Sequence, residues 1–323
     1  MVFRNSGAVS PSIAVDSKQT PHISFMADHY TLMYAHRDSG PWQVSTIDAK
    51  DGNANYSTSI AIAADDSPIV AYTSNYSVRV ARPAGSAWKH ETVYQNARGY
   101  GPAIAGRALA LDRGGNPHIV ASQVYNQSGT YNSYLLHIFW DGTAWTSEHI
   151  QDINSNRYSE PALAIDERDV LHVTWVSYYD GVVNYATNPD KKWTVTAALK
   201  NGTCCDTSFV ALNSASEPFI SFATKTGPFA AAHRKMGTWT TDVLHADQSG
   251  VGNLAFAATG GLFYVVRDRA KQLLLGRPAA SSWQESVVSP EAQQFLLAVD
   301  RSERAHVVWT TAEAVKYLRQ SRD

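Results

Sequence analysis

Residues 12–47 read SIAVDSKQTPHISFMADHYTLMYAHRDSGPWQVSTI. Four short segments stand out in this stretch: SIAVD, PHISF, TLMYAHR and WQVSTI. Each alternates apolar with small or polar side chains and favours Val, Ile, Tyr, Phe, Trp and Thr, the period-two signature of a strand. Asp, Ser, Gly and Pro cluster between them, where the chain must turn. The same order recurs six more times. Its anchor is an alanine in the first segment: Ala14, Ala61, Ala110, Ala164, Ala211, Ala255 and Ala298, at spacings of 47, 49, 54, 47, 44 and 43 residues. Four strands repeated at this period make the blade of a β-propeller. The sequence therefore predicts an all-β chain, a single seven-bladed β-propeller domain over residues 1–323 with four-stranded blades.

The last copy, from Phe295 onward, ends after its third strand, while the first residues precede copy one as an orphan. Val2 lies as far before Ala14 as Val243 lies before Ala255. Val2-Phe3-Arg4 is thus expected to supply the outer strand of the seventh blade, so that the ring is closed by the N-terminal strand and no edge is left open.

Three columns of the repeat have a packing reading. The alanines sit where first strands crowd together and a larger side chain would overpack. Trp42, Trp88, Trp145, Trp193, Trp239 and Trp283 open the fourth strand and are expected to pack between blades. His22, His118, His172 and His306 share one position at the start of the second strand. They are read as structural rings hydrogen-bonded between blades. A four-histidine metal centre is the alternative, disfavoured by Ile69, Phe219 and Phe263 in the other copies. No metal and no cofactor is expected.

The repeat S-x-A-x-D, P-H-I-x-[FYW], Y-A-x-R, G-x-W resembles the sialidase-type, BNR-like repeats of seven-bladed β-propellers. The resemblance spans nearly the whole chain and implies the fold. It implies little about function, because propellers host many unrelated activities. The sialidase Asp-box S-x-D-x-G-x-T-W does not occur, and neither the arginine triad nor its Tyr-Glu pair can be placed. A true sialidase is not expected.

Lys plus Arg number 27 and Asp plus Glu 29, a formal charge of −2. That balance argues against a nucleic-acid partner or a polybasic membrane surface. No apolar window is long enough for a transmembrane helix. The N-terminus lacks a basic start and apolar block, so the chain is expected to be cytoplasmic, or secreted with its signal removed. A monomer is expected. Two cysteines exclude the usual zinc frameworks. No G-x-S-x-G, Walker, Rossmann or H-E-x-x-H motif occurs.

Candidate function falls on one face, where the loops joining strands two and three meet the loops joining one blade to the next. Loops on a rigid scaffold carry function. These differ between copies, which favours one asymmetric site over seven equal ones. The expected catalytic set is His29, Tyr30, Arg157, Tyr158, Glu160 and Tyr179. His29 is the proton-transfer candidate, and Arg157 would neutralise a carboxylate. The expected ligand-binding set is Tyr76, Arg98, Tyr100, Arg107, Tyr125, Tyr178, Asp180, Cys204, Cys205 and Arg267. Tyrosine offers a flat apolar face with a polar tip, suited to sugar or aromatic rings. Adjacent Cys204 and Cys205 form either a strained disulfide or two free thiols.

The main expectation is a carbohydrate-active enzyme performing lyase-type acid/base chemistry on an acidic glycan. Glu160 and Asp180 would be the carboxyl pair of a glycosidase. The alternatives are a non-catalytic, lectin-like propeller binding a glycan or small ligand, a biosynthetic enzyme acting on an aromatic or peptide small molecule, and a scaffold for a protein partner.

Overall fold

The computed structural model describes the chain except residues 6, 29, 50–56, 97–100, 128–129, 154–159, 178–180, 200–206, 224–226, 236, 279–282 and 322–323, and the side chains of 126–131 and 248–251. The chain is all-β, and a single 3-10 turn at Pro189–Lys191 is the one helical element among the described residues. The fold is a seven-bladed β-propeller. In blade one, Val9–Val15, Pro21–Met26, Thr31–His36 and Gln43–Ala49 pair antiparallel in chain order. Blade two runs from Thr58–Ile62 to Ala87–Gln95, and blade four from Ala162–Ile165 to Thr194–Leu199. Blade seven holds Phe295–Val299, Ala305–Thr310 and Ala314–Arg319. Phe3–Arg4 takes its outer edge, with Phe3 opposite Val315 and Arg4 opposite Ala314. The N-terminal strand thus fills the place the truncated last repeat leaves open.

By contacts the chain forms two compact units. One is Met1–Tyr158, Gln293–Leu296 and Val308–Tyr317; the other is Ser159–Ala292, Leu297–Val307 and Leu318–Asp323. The first contains blades one to three and the second blades four to six.

Three segments depart from the expected loop pattern. Residues 122–127 and 130–134, expected within a loop joining strands two and three, are strand. Pro117–Gln127 and Thr130–Trp140 stay paired from His118 opposite Phe139 to Gln127 opposite Thr130, because Val, Tyr and Thr continue the strand pattern through them. HADQSGVGN is not a loop either. Thr238–Phe256 is one 19-residue strand, serving as the fourth of blade five and the first of blade six. A register irregularity between Ser249 and Val251 lets it change partners. In blade two the strand two–three connection is a two-residue turn in which Asn75 and Tyr76 take φ of 46° and 65°.

Hydroxyls stitch neighbouring first strands. Ser12 Oγ accepts from the Ile60 N–H at 3.1 Å and donates to the Gly106 carbonyl at 2.7 Å. Ser59 Oγ accepts from the Leu109 N–H at 3.1 Å. Asn253 Oδ1 accepts from the Leu297 N–H at 3.1 Å. This explains the serine two residues before the anchor alanine. Ala14 itself packs against a core cluster shared by blades one and two, which includes Tyr34, Ile60, Val70 and Tyr72.

The tryptophan column packs between blades at three positions, while Trp145 and Trp283 meet rings of their own blade, Trp140 at 5.8 Å and Tyr264 at 5.0 Å. Trp88 lies edge-on to Tyr34 of the preceding blade at 5.2 Å, Trp42 to Tyr317 at 5.1 Å and Trp239 to Tyr185 at 5.2 Å. Such aromatic pairs are worth about 0.5–1.5 kcal/mol beyond their burial.

The histidine column is structural, but its bonds run within the blade rather than between blades. His22 Nε2 faces Asp16 Oδ2 at 3.3 Å while its Nδ1 meets the Tyr34 hydroxyl at 2.5 Å. His172 meets the Tyr185 hydroxyl at 2.6 Å, His118 meets His137 at 2.9 Å, and His306 Nε2 meets Asp300 Oδ2 at 3.0 Å. Burial pushes His22 and His306 below the ordinary imidazole range and His172 down to about 4. A neutral ring has one donor and one acceptor. A carboxylate on Nε2 and a hydroxyl on Nδ1 satisfy both in His22. The same aspartates hold the turn after the first strand: Asp16 Oδ1 accepts the N–H groups of Lys18 and Thr20 at 2.9 and 2.7 Å.

Candidate functional site

Of the expected site residues, His29, Arg98, Tyr100, Arg157, Tyr158, Tyr178, Tyr179, Asp180, Cys204 and Cys205 lie outside the described residues. The other six are described. In the second unit, exposed Glu160 bridges to Thr207, and Arg267 Nη1 donates to the Ala292 carbonyl at 3.3 Å. In the first unit, Tyr30 is 55% exposed and its N–H donates to Asp28. Tyr76 is 40% exposed on its tight turn.

Arg107 follows Gly106 in a turn closed by the Ala108 N–H on the Ala105 carbonyl at 3.1 Å. A Cβ on Gly106 would meet Leu296 Cδ1 at 2.6 Å, so a larger residue here would have to displace the end of the Leu296 side chain. Burial of the guanidinium pulls Arg107 down to about 10, so it stays charged at neutral pH.

Tyr125 belongs to an aromatic cluster at the loop-rich end of blades two and three. Its ring lies 5.4 Å from Tyr134, which lies 5.4 Å from His149. The Tyr134 hydroxyl is 3.5 Å from that of Tyr94. Burial, and then the Tyr134 hydroxyl, push Tyr94 above the ordinary phenol range. Tyr125 and Tyr134 were legible as face tyrosines; Tyr94 and His149 were not, since they stand on outer strands and look like surface residues.

A concavity lies at the other end of the same two blades, where strands one and two turn and strands three and four are joined. A cavity of about 380 Å³ opens between blades two and three. Blade two lines it with Arg82, Lys89 and Glu91, and blade three with Asn116, Trp140 and Trp145. Arg82 and Lys89 are direct cross-strand partners, as are Trp140 and Trp145. The two indoles meet edge to face at 5.8 Å. Trp145 Nε1 is buried without a hydrogen-bond partner, so this ring offers the groove carbon rather than a donor. Asn116 is fixed by its side-chain amide, whose Nδ2 donates to Asp112 Oδ2 at 2.9 Å.

The paired cations are the unusual feature. Like charges directly opposite in a sheet are destabilising. The equivalent rungs of the other described blades are His36–Gln43, Phe139–Thr146, Thr187–Thr194, His233–Thr240 and Arg277–Gln284, none of which opposes two cations of the Lys or Arg type. Glu91, two residues beyond Lys89 on the same face, offsets one charge. The groove therefore combines an aromatic wall with a net positive rung, able to stack a ring and pair with a carboxylate or sulfate.

No family model matches the chain, and no curated protein does. Solved structures do. A mutant of Aleuria aurantia lectin in complex with Fucα1-6GlcNAc superposes with a TM-score of 0.55 at 12% identity, covering 91% of this chain and 98% of that one. A protein of unknown function from Dyadobacter fermentans gives 0.54 at 11% identity, over 88% and 93%. The NanB sialidase from Streptococcus pneumoniae gives 0.50 at 12% identity, over 96% and 67%. The Aleuria lectin is described as six-bladed, one blade fewer than here. At these identities the likeness is one of fold. The structural neighbours include fucose-binding lectins and a sialidase, and the sequence resemblance to sialidase-type repeats stands at the level of the propeller fold.

Proposed function

We propose that this chain is a glycan-binding propeller, acting as one monomeric domain, and that it holds an acidic saccharide in the groove between blades two and three. The observation that carries this reading is the Arg82–Lys89 rung facing Trp140 and Trp145. Stacking supplies the affinity for a sugar's apolar face, and the two cations select for a carboxylate or sulfate. The lectin-like neighbours support binding over chemistry.

Titration calorimetry with uronate and sulfated oligosaccharides tests the reading. Binding should weaken with rising salt. Arg82→Ala and Lys89→Ala should each weaken it about tenfold, which is ~1.4 kcal/mol. Absorbance near 235 nm should stay flat during incubation with uronic-acid polymers. Affinity unchanged in both variants, or a rise at 235 nm that Tyr179→Phe abolishes, would overturn it, the latter in favour of β-elimination at the loop-rich face.

A further inference from the structure

The propeller repeat places a second groove one blade back, between blades one and two. Its cavity is about 750 Å³. Blade one lines it with Tyr34, His36, Gln43 and Ser45, and blade two with Trp88 and His90. The two grooves are built on equivalent rungs. His36 opposite Gln43 stands where Arg82 stands opposite Lys89, and each of the residues Gln43 and Lys89 follows the repeat tryptophan of its own blade. Tyr34 opposite Ser45 stands where Val80 stands opposite Glu91. Trp88, opposite Pro83, stands where Trp145 stands opposite Trp140. Pro68 and Pro117 occupy the same turn in each.

The scaffold is therefore repeated and the chemistry is changed. The lining of the second groove contains no Lys, Arg, Asp or Glu. It presents an amide, hydroxyls and two imidazoles beside an indole and two pyrrolidine rings. Gln43, Ser45 and Thr46 are exposed on the rim, while Trp88 is fixed by its edge contact with Tyr34 of the facing blade. An amide, hydroxyls and imidazoles beside an aromatic wall match a polyhydroxylated ring without charge. A carboxylate buried there would meet no Lys or Arg in the lining.

The geometry points to a second saccharide site in the groove between blades one and two, selective for uncharged sugars. This rests on the glycan-binding reading, and extends it to a chain carrying two adjacent sites of different selectivity. Its larger volume suits an oligosaccharide of more than one ring.

The test uses the full chain on a printed array of uncharged and acidic oligosaccharides, followed by calorimetry with the best uncharged hit. An uncharged oligosaccharide should bind with one site per chain. Its affinity should fall at least tenfold in the double variant Gln43→Ala, Ser45→Ala, whose exposed positions should leave the melting temperature unchanged. A saturating acidic oligosaccharide should not displace it. If acidic glycans bind and no uncharged one does, the second site fails while the glycan-binding reading stands. If the uncharged sugar is displaced by the acidic one, or ignores the double variant, it occupies the other groove and the inference is overturned. If nothing on the array binds, both fall together.

Discussion

Blades five and seven solve the same turn in different ways. In blade seven, Asp300 is 5% exposed and accepts four hydrogen bonds: the N–H groups of Ser302 and Arg304 at 2.8 and 3.0 Å, Arg304 Nε at 3.0 Å and His306 Nε2 at 3.0 Å. In blade five, Asn213 accepts the N–H groups of Ala215 and Glu217 at 3.0 and 2.9 Å, and Phe219 stands where the histidine would be. Phe219 instead stacks on His233 at 4.9 Å. The same rule holds through the chain. Asp16, Asp112, Asp166 and Asp300 each have a histidine six residues on, at His22, His118, His172 and His306. Ala63, Asn213 and Ala257 have Ile69, Phe219 and Phe263. The turn itself does not require the carboxylate: Asn213 serves in blade five, and the turns at Ala63 and Ala257 are closed by backbone bonds. A buried imidazole is stabilised by an acceptor for its N–H: the carboxylate faces Nε2 at 3.3 Å in blade one and 3.0 Å in blade seven, and stands off at 3.6 and 3.9 Å in blades three and four.

The largest expected effect comes from removing the carboxylate where both jobs fall on it. Asp300→Ala leaves His306 fully buried with an unpaired N–H and Arg304 without its counter-ion. The expected loss is about 3–5 kcal/mol in denaturant unfolding. Asn213→Ala, on the exposed turn of blade five, should cost about 1 kcal/mol. Equal losses would show that the turn, and not the ring, sets the value of the column.

Acid should separate the two kinds of blade next. Burial holds His172 near 4, below its unfolded value, so the folded state binds fewer protons than the unfolded chain in between. Its contribution is complete above about pH 6.5 and is lost as pH falls towards 4, up to about 3 kcal/mol for that shift. Asp300 adds loss in the same direction. Burial pushes its carboxyl up, but the Arg304 N–H and His306 pull it further down, to a net position below the ordinary range. His172→Phe, which copies blade five, should flatten melting temperature against pH between 6.5 and 4. An unchanged profile would mean that His172 does not carry the acid sensitivity.

The same contrast explains what could be read in advance. Seven alanines, six tryptophans and the orphan N-terminal strand were legible because each blade repeats one packing problem, and a repeated problem selects a repeated residue. The pairing of Asp with His was present in the sequence too, but the ring's bond to Tyr34 or Tyr185 of its own blade depends on cross-strand register, which spacing alone leaves open. Thr238–Phe256 hid as a loop because Gly250, Gly252 and Ser249 mimic turn chemistry within a paired strand. Gly252 is there because Phe229 fills the space a Cβ would need, at 2.5 Å. The groove between blades two and three was illegible for a different reason. Its tryptophans belong to a structural column, and Arg82 and Lys89 become a rung only when the third and fourth strands of blade two pair.

The smallest effect asks whether the Asp–His rule is causal. Phe219→His in blade five loses part of its stacking on Phe256 and places an imidazole beside Asn213, whose Oδ1 is already occupied by two backbone N–H groups. It should cost about 2 kcal/mol. Asn213→Asp alone keeps both backbone bonds and should stay within about 0.5 kcal/mol of the parent. Together they rebuild the carboxylate and ring of blade seven, so the double variant should recover about 1 kcal/mol of the loss. The non-additivity of a double-mutant cycle measures that coupling directly. Additive costs would mean that a ring at this position does not depend on the carboxylate, and that the pairing seen in four blades reflects their shared ancestry alone.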